Sequence, residues 1–193
     1  LRGAQVLGLN PCRLEDVLDD VAQIAAAAGA ESVGAALLGR LRGRIQAVAQ
    51  QTAGAPRVRV ACLEWLEPPM LAGNWGPELV NLAGGVQPLT TAGEHSRYVD
   101  WAQIAAADPE VIVVCPCGFG LERAVAEAKA LTGIPGWGGL SAVRAGRVFA
   151  LDGNAYFNRP GPRLADTLEL LAHLVHPEHC AAPVGGCWQA MGD

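Results

Sequence analysis

Apolar positions from Leu14 onward recur with a helical period. Leu14, Val17, Leu18, Val21 and Ile24 stand at i, i+3, i+4, i+7 and i+10, which predicts one amphipathic helix. Gln5 to Leu9 in front of it is a short apolar stretch ended by Asn10-Pro11. Glu15, Asp16, Asp19 and Asp20 load the first turns with negative charge, which suits the positive end of the helix dipole, and Gly29 supplies a stop. A second helix runs from Glu31 to Gln51 on the stripe Leu38, Leu41, Ile45 and Val48, about 31 Å long at ~1.5 Å per residue. Gly34, Gly39 and Gly43 each cost it about 1 kcal/mol relative to Ala, so a packed neighbour has to hold it.

Beyond the breaker Gly54-Ala55-Pro56 the period changes. Val58, Val60 and Cys62 alternate with Arg57, Arg59 and Ala61 as in a strand over Arg57 to Glu64. Short helices follow over Pro77 to Leu82, closed by Gly84-Gly85, and over Trp101 to Ala107, closed by Asp108-Pro109. Val111 to Cys115 is a continuous apolar run, the mark of a strand buried on both faces. Leu121 to Leu131 reads as helix, Arg147 to Leu151 as strand after the Arg144-Ala145-Gly146 turn, and Leu164 to Val175 as a helix stopped by Pro177. This alternation predicts an α/β fold: an open, mostly parallel sheet with helices on both faces, preceded by a long connecting helix. No internal repeat is visible.

A chain of 193 residues is one domain plus an appendage when a domain takes ~150. Hydrophobic residues at 51% supply one sizeable core and exclude disorder throughout. The longest run free of charge, Leu79 to Gly93, is broken by Gly and Pro and falls short of the ~20 residues a membrane-spanning helix needs. A net charge of −5, with Lys129 the sole lysine, leaves no basic stripe for nucleic acid; Arg40, Arg42 and Arg44 read as one solvated helix face. The chain starts at Leu1 without a Met or a signal-like segment and reads as a fragment, so its N-terminus does not report localisation.

In open α/β sheets ligands bind outside the carboxyl ends of the strands. Three strand-end segments stand out: Glu64 to Met70 leading into Gly73 to Glu78, Cys115 to Gly120, and Asp152 to Arg163. They concentrate Trp, Phe, Tyr, Gly and Pro in a chain that is only 5% aromatic. Flat rings on loops stiffened by Pro suit a broad, largely apolar ligand; the competing reading is that they seal the sheet ends. Arg159, with Pro160 and Pro162, reads as the lead-in to the last helix. No Ser/His/Asp or Cys/His arrangement, phosphate-cradling glycine motif or acid–base carboxylate pair is evident, so the chain reads as a non-enzyme. Cys12, Cys62, Cys115, Cys117, Cys180 and Cys187 match no common disulfide framework. Cys115 with Cys117, or His173, His176 and His179 with Cys180 and Cys187, leave a small zinc or redox protein as an alternative.

The runs Leu63 to Pro69, Gly73 to Glu78, Pro116 to Phe119 and Asp152 to Arg163, with Leu9-Asn10-Pro11 and Leu14 to Val17, resemble the cobalamin-type branch of the class III periplasmic binding proteins, which serve vitamin B12 and iron-siderophore import. The match extends to Glu178. It implies two α/β lobes joined by one rigid helix, with ligand clamped between them. Residues 1–30 are then a remnant of the N-terminal lobe, 31–56 the connecting helix and linker, 57–179 the C-terminal lobe and 180–193 a tail. Loss of the other lobe leaves half a cleft and exposes apolar surface along the helix.

The resemblance places ligand contacts at Trp65, Met70, Trp75, Phe119, Asp152, Asn154, Tyr156 and Phe157, with Trp65 and Phe157 stacking on a macrocycle and Asp152 and Asn154 bonding its peripheral amides. It implies a corrinoid such as cobalamin as transported ligand, with no cofactor and no bound metal of the protein's own. A siderophore or haem is the alternative within the family. It also implies an extracytoplasmic location and an ABC transporter permease as partner, docked through an acid near the helix after Trp101, where this chain has Ala102 and Gln103, with Asp100 or Glu94 nearby. His176-Pro177-Glu178 resembles the family's ending, which argues against a zinc site in the tail; in an oxidising compartment a Cys180–Cys187 disulfide is expected there instead.

Overall fold

A computed structural model describes residues 6–183 and 186–192; Gln5 of the leading apolar stretch and part of the 180–193 tail lie outside these. Helix α1 (Leu14–Ala27) starts where Asp16 turns back to accept the backbone N–H groups of Cys12 and Arg13 at 2.9 and 2.8 Å. Those bonds hold its carboxyl below the ordinary range. Helix α2 (Glu31–Gln51) returns antiparallel along it. The closest approach is at Gly34, where a Cβ would lie 2.4 Å from the Ala25 Cβ. Packing at that crossing compensates the low helix propensity of the glycine.

Strand β1 (Val58–Leu66) is longer than the pattern predicts and turns directly into β2 (Pro69–Leu71), so the expected loop after Glu64 is an antiparallel hairpin, with a cis peptide at Glu67-Pro68 and a bulge between Leu63 and Trp65. Helix α3 (Gly76–Leu82) leads to β3 (Gly85–Val86), and β4 (Arg97–Tyr98) precedes α4 (Trp101–Ala107). The remainder is β5 (Val111–Val114), α5 (Leu121–Ala130), α6 (Ser141–Arg144), β6 (Val148–Leu151), α7 (Leu164–Val175) and β7 (Trp188–Ala190).

The sheet order is β4-β2-β1-β5-β6-β7, with β3 beside the first half of β1. Its centre is parallel, β3 and β5 on β1 and β6 on β5, whereas β2, β4 and β7 add antiparallel edges. The sheet is therefore mixed, with a parallel heart. Alternate residues of β1 serve opposite cores: Val60 and Cys62 pack with α3 and α7, while Ala61 and Leu63 pack with Ile104 of α4 and Ala124 of α5. Val111 to Val114 are fully buried, as a doubly covered strand requires.

Helix α2 joins this body only through its second half. Leu41 packs with Leu18 and Ala165, Val48 enters the core beside α7, and Arg44 bonds Asp166 and Glu169 of α7. Towards its start Val33 is 68% exposed, and Ile24 of α1 is 49% exposed. An apolar surface along the helix pair is thus open to solvent. No described helix is long and apolar enough to cross a membrane.

Candidate functional site

The carboxyl ends of β1, β5 and β6 meet at one edge of the sheet. Trp65 lies opposite Met70 in the hairpin, and Met70 lies opposite Tyr98 across the next pair. Directly opposed residues share a face of an antiparallel pair, so Tyr98, Met70 and Trp65 form one row. Phe119, from the loop after β5, extends it: its ring centroid lies 5.4 Å from that of Trp65, with the planes at 57°. The Arg123 Cζ stands 3.5 Å from the Phe119 centroid and covers it. The Trp65 indole N–H donates to Glu67 O at 3.1 Å, which fixes the ring on the hairpin turn. Trp65, Met70 and Phe119 are partly exposed, and Tyr98 is 61% exposed. The result is an apolar and aromatic shelf.

The turn after β6 supplies the next wall. Asp152 accepts the Ala155 N–H at 2.8 Å and so caps the π-helical turn Gly153–Phe157. A Cβ at Gly153 would lie 2.3 Å from Pro116 O and 2.6 Å from Cys115 O, so only glycine lets this turn close on the β5 loop. The Asn154 N–H then donates to Phe119 O at 3.0 Å. Asn154 and Tyr156 are partly exposed here, and Arg163 stands over the Tyr156 ring at 5.5 Å.

Two residues expected at the ligand surface belong to the core instead. Phe157 is 1% exposed, its ring against Gly76 at the start of α3, and Trp75, 8% exposed, donates its indole N–H to Phe157 O at 2.9 Å. These rings lock the β6 turn onto α3, which explains their burial. Asp152 has the local role of a turn residue. Tyr98 and Arg163 were not among the expected site residues; the short alternation Arg97-Tyr98-Val99 is the only signal for the first, and Arg163 is absorbed by the start of α7.

Glu64, next to Trp65 in the β1 bulge, is partly buried. Its carboxylate accepts from the Ser96 hydroxyl, and Ser96 Oγ accepts the Gly73 N–H at 3.1 Å. Burial raises the carboxyl above its ordinary value, with the Ser96 bond opposing in part. Cys117 is exposed on the β5 loop while Cys115 is fully buried, so the two thiols diverge. Burial raises both, and the Arg159 charge lowers Cys117 in part. All six cysteines are unpaired here, Cys180 and Cys187 included, so this structure does not hold the disulfide expected in an oxidising compartment. His173 Nδ1 pairs with Cys180 O at 2.9 Å and buried His176 faces Glu178 and Gly84 O, so these rings tie the end of α7 to its surroundings. Among the described residues no three or more His, Cys, Asp or Glu side chains converge on a metal position. Near the expected docking region, Gln103 Oε1 accepts the Asp100 N–H at 2.9 Å at the start of α4, and Ala102 is exposed.

A family model described as periplasmic binding protein matches residues 2–155. No curated protein matches the chain. Among solved structures, a periplasmic binding protein from Veillonella parvula superposes with a TM-score of 0.72 at 18% identity, over 86% of this chain and 57% of its own. The periplasmic vitamin B12 binding protein BtuF of Vibrio cholerae gives 0.71 at 23% identity, over 91% of this chain and 66% of its own. The periplasmic haem-binding protein BhuT, in complex with two haems, gives 0.69 at 27% identity, over 87% and 64%. The chain thus spans about two thirds or less of the length of these structures. With four fifths of its residues matched by the family model, the chain belongs to the periplasmic binding protein family.

Proposed function

We propose that this chain is the connecting helix (31–56) and C-terminal lobe (57–179) of a two-lobed solute-binding protein that clamps a corrinoid such as cobalamin for uptake, without catalysis. Residues 1–30 are the remnant of its N-terminal lobe and 180–193 a tail. The protein works outside the cytoplasm and delivers to an ABC transporter permease. The observation that carries this reading is the shelf Tyr98, Met70, Trp65 and Phe119 at the carboxyl ends of parallel strands, an apolar and aromatic surface that suits a broad, largely apolar ligand rather than a small polar solute. Asn154 and Tyr156 border it with groups able to bond peripheral amides. The open apolar surface at Ile24 and Val33 suits coverage by a second lobe. BtuF, by its name, binds vitamin B12.

A second reading, haem or a siderophore, is favoured by three guanidinium groups at the same edge, Arg123, Arg159 and Arg163. Titration calorimetry of the full-length protein with cobalamin, haem and a ferric siderophore separates the two. Cobalamin heat, weakened by Trp65→Ala, is expected. Siderophore binding with no cobalamin heat overturns the corrinoid assignment.

A further inference from the structure

Glu64 is a half-buried carboxylate with no cation beside it. It stands in the β1 bulge between Leu63 and Trp65, and its carbonyl accepts the Cys117 N–H at 3.1 Å, so it joins the two segments that carry the Trp65 and Phe119 rings. Its Oε2 accepts from the Ser96 hydroxyl. Ser96 is held in turn by the Gly73 N–H at 3.1 Å, and a Cβ at Gly73 would lie 2.4 Å from Glu94 O, so glycine is what lets the 94–96 segment close on the carboxylate. The other oxygen, Oε1, accepts no bond and is not enclosed among the described residues. Nor does any described cation come within ion-pair distance of Glu64; Arg159, on the same edge, is bonded to Asn154. The thiols of Cys62, Cys115 and Cys117 supply no countercharge: burial above all, with the Glu64 charge adding to it, raises all three. A charge taken out of water is costly unless a partner replaces the lost hydration. Solvent serves Oε1 while the shelf is bare. A broad ligand seated on Trp65 and Phe119 displaces that solvent, and the replacement partner then has to come from the ligand.

We propose that Glu64 is a selectivity residue of the shelf: its Oε1 accepts an N–H from the rim of the macrocycle, and its charge rejects a rim carboxylate at the same place. This rests on the macrocycle reading above and adds which rim groups the site selects. A corrinoid rim carries carboxamides, which supply the donor. A haem-type tetrapyrrole carries propionates, which set like charge against like.

The test titrates the full-length protein, at a mildly alkaline pH where carboxylates are ionised, with cobalamin and with its monocarboxylic acids, in each of which one peripheral amide is hydrolysed to a carboxylate. Wild type is expected to bind at least one of these acids about tenfold more weakly than cobalamin. Glu64→Gln, which keeps an acceptor oxygen and the bond to Ser96 but carries no charge, is expected to bring that acid within about twofold of cobalamin. Glu64→Ala, which removes the carboxylate altogether, is expected to erase the preference as well. Equal affinity of wild type for cobalamin and all the acids, or a preference that survives in either folded variant, overturns the role of Glu64 and leaves the macrocycle reading standing. Failure of wild type to bind any corrinoid overturns the corrinoid assignment, and the selectivity with it.

Discussion

Two tryptophan–phenylalanine contacts of this chain, Trp75 with Phe157 and Trp65 with Phe119, make opposite predictions when truncated. Phe157 is fully enclosed, its ring against Gly76 and its carbonyl bonded to the Trp75 indole. Phe157→Ala removes the ring from a site closed by α3 and the β6 turn, which cannot collapse without moving backbone. Such truncations cost about 3–5 kcal/mol. For a chain of this size that lowers Tm by roughly 6–20 °C. Trp65 sits partly exposed on the shelf with one tilted neighbour, Phe119, so Trp65→Ala is expected to cost under about 1.5 kcal/mol of stability. Its loss falls on binding, about tenfold or more once the ring is covered by ligand. Thermal denaturation and ligand titration on the same two full-length variants read both quantities. A Phe157→Ala protein that melts like wild type while binding tenfold more weakly would refute this division of roles, and so would a Trp65→Ala protein that loses stability alone.

Burial lifts Glu64 above its ordinary value of 4.5, so the folded protein keeps this proton to a higher pH than the unfolded chain does. Stability attributable to Glu64 is accordingly lost as pH rises from about 4.5 through the raised value. Glu64→Gln, which can still bond Ser96, is expected to flatten that slope and to be the more stable protein at neutral pH; denaturant midpoints between about pH 5 and pH 8 check it, and an unchanged slope defeats the argument. Gly153→Ala forces a Cβ to 2.3 Å from Pro116 O and is expected to destabilise by about 1–3 kcal/mol. It also shifts Asn154 off Phe119, so weaker ligand binding should accompany the lower Tm in denaturation and titration, and a neutral substitution would show that the turn has slack.

Elements with a sustained period and a hard stop were legible from residue pattern alone. Helices α4 and α7 run over Trp101–Ala107 and Leu164–Val175 as the pattern predicts, bounded by Asp108-Pro109 and Pro177. Strands β2, β3, β4 and β7 were not, because two or three residues hold less than one full alternation. That Trp65, Met70 and Phe119 share one partly exposed surface follows from their position just past strand ends. Trp75 and Phe157 satisfied the same rule, yet they turn inward. Which way a ring faces on a tight turn depends on the register set by Gly153 and the Asp152 cap, and composition carries no record of it. Tyr98 was hidden for a different reason: its place in the row comes from pairing with Met70, a contact across 28 positions of sequence.

Helix α2 is rooted between Leu41 and Val48 and leaves the sheet body towards Glu31, where α1 accompanies it among the described residues. It is therefore a cantilever. Over the roughly 15 Å from Leu41 to Glu31, at ~1.5 Å per residue, a tilt of about 10° at the root carries the tip through about 2.6 Å. The paired bonds from Arg44 to Asp166 and Glu169 sit near the fulcrum, where they resist bending with the least leverage. Whatever the tip carries thus moves by ångströms when the helix tilts by degrees at its root, and the size of that swing is set by the fit of Leu41, Ile45 and Val48 against their neighbours.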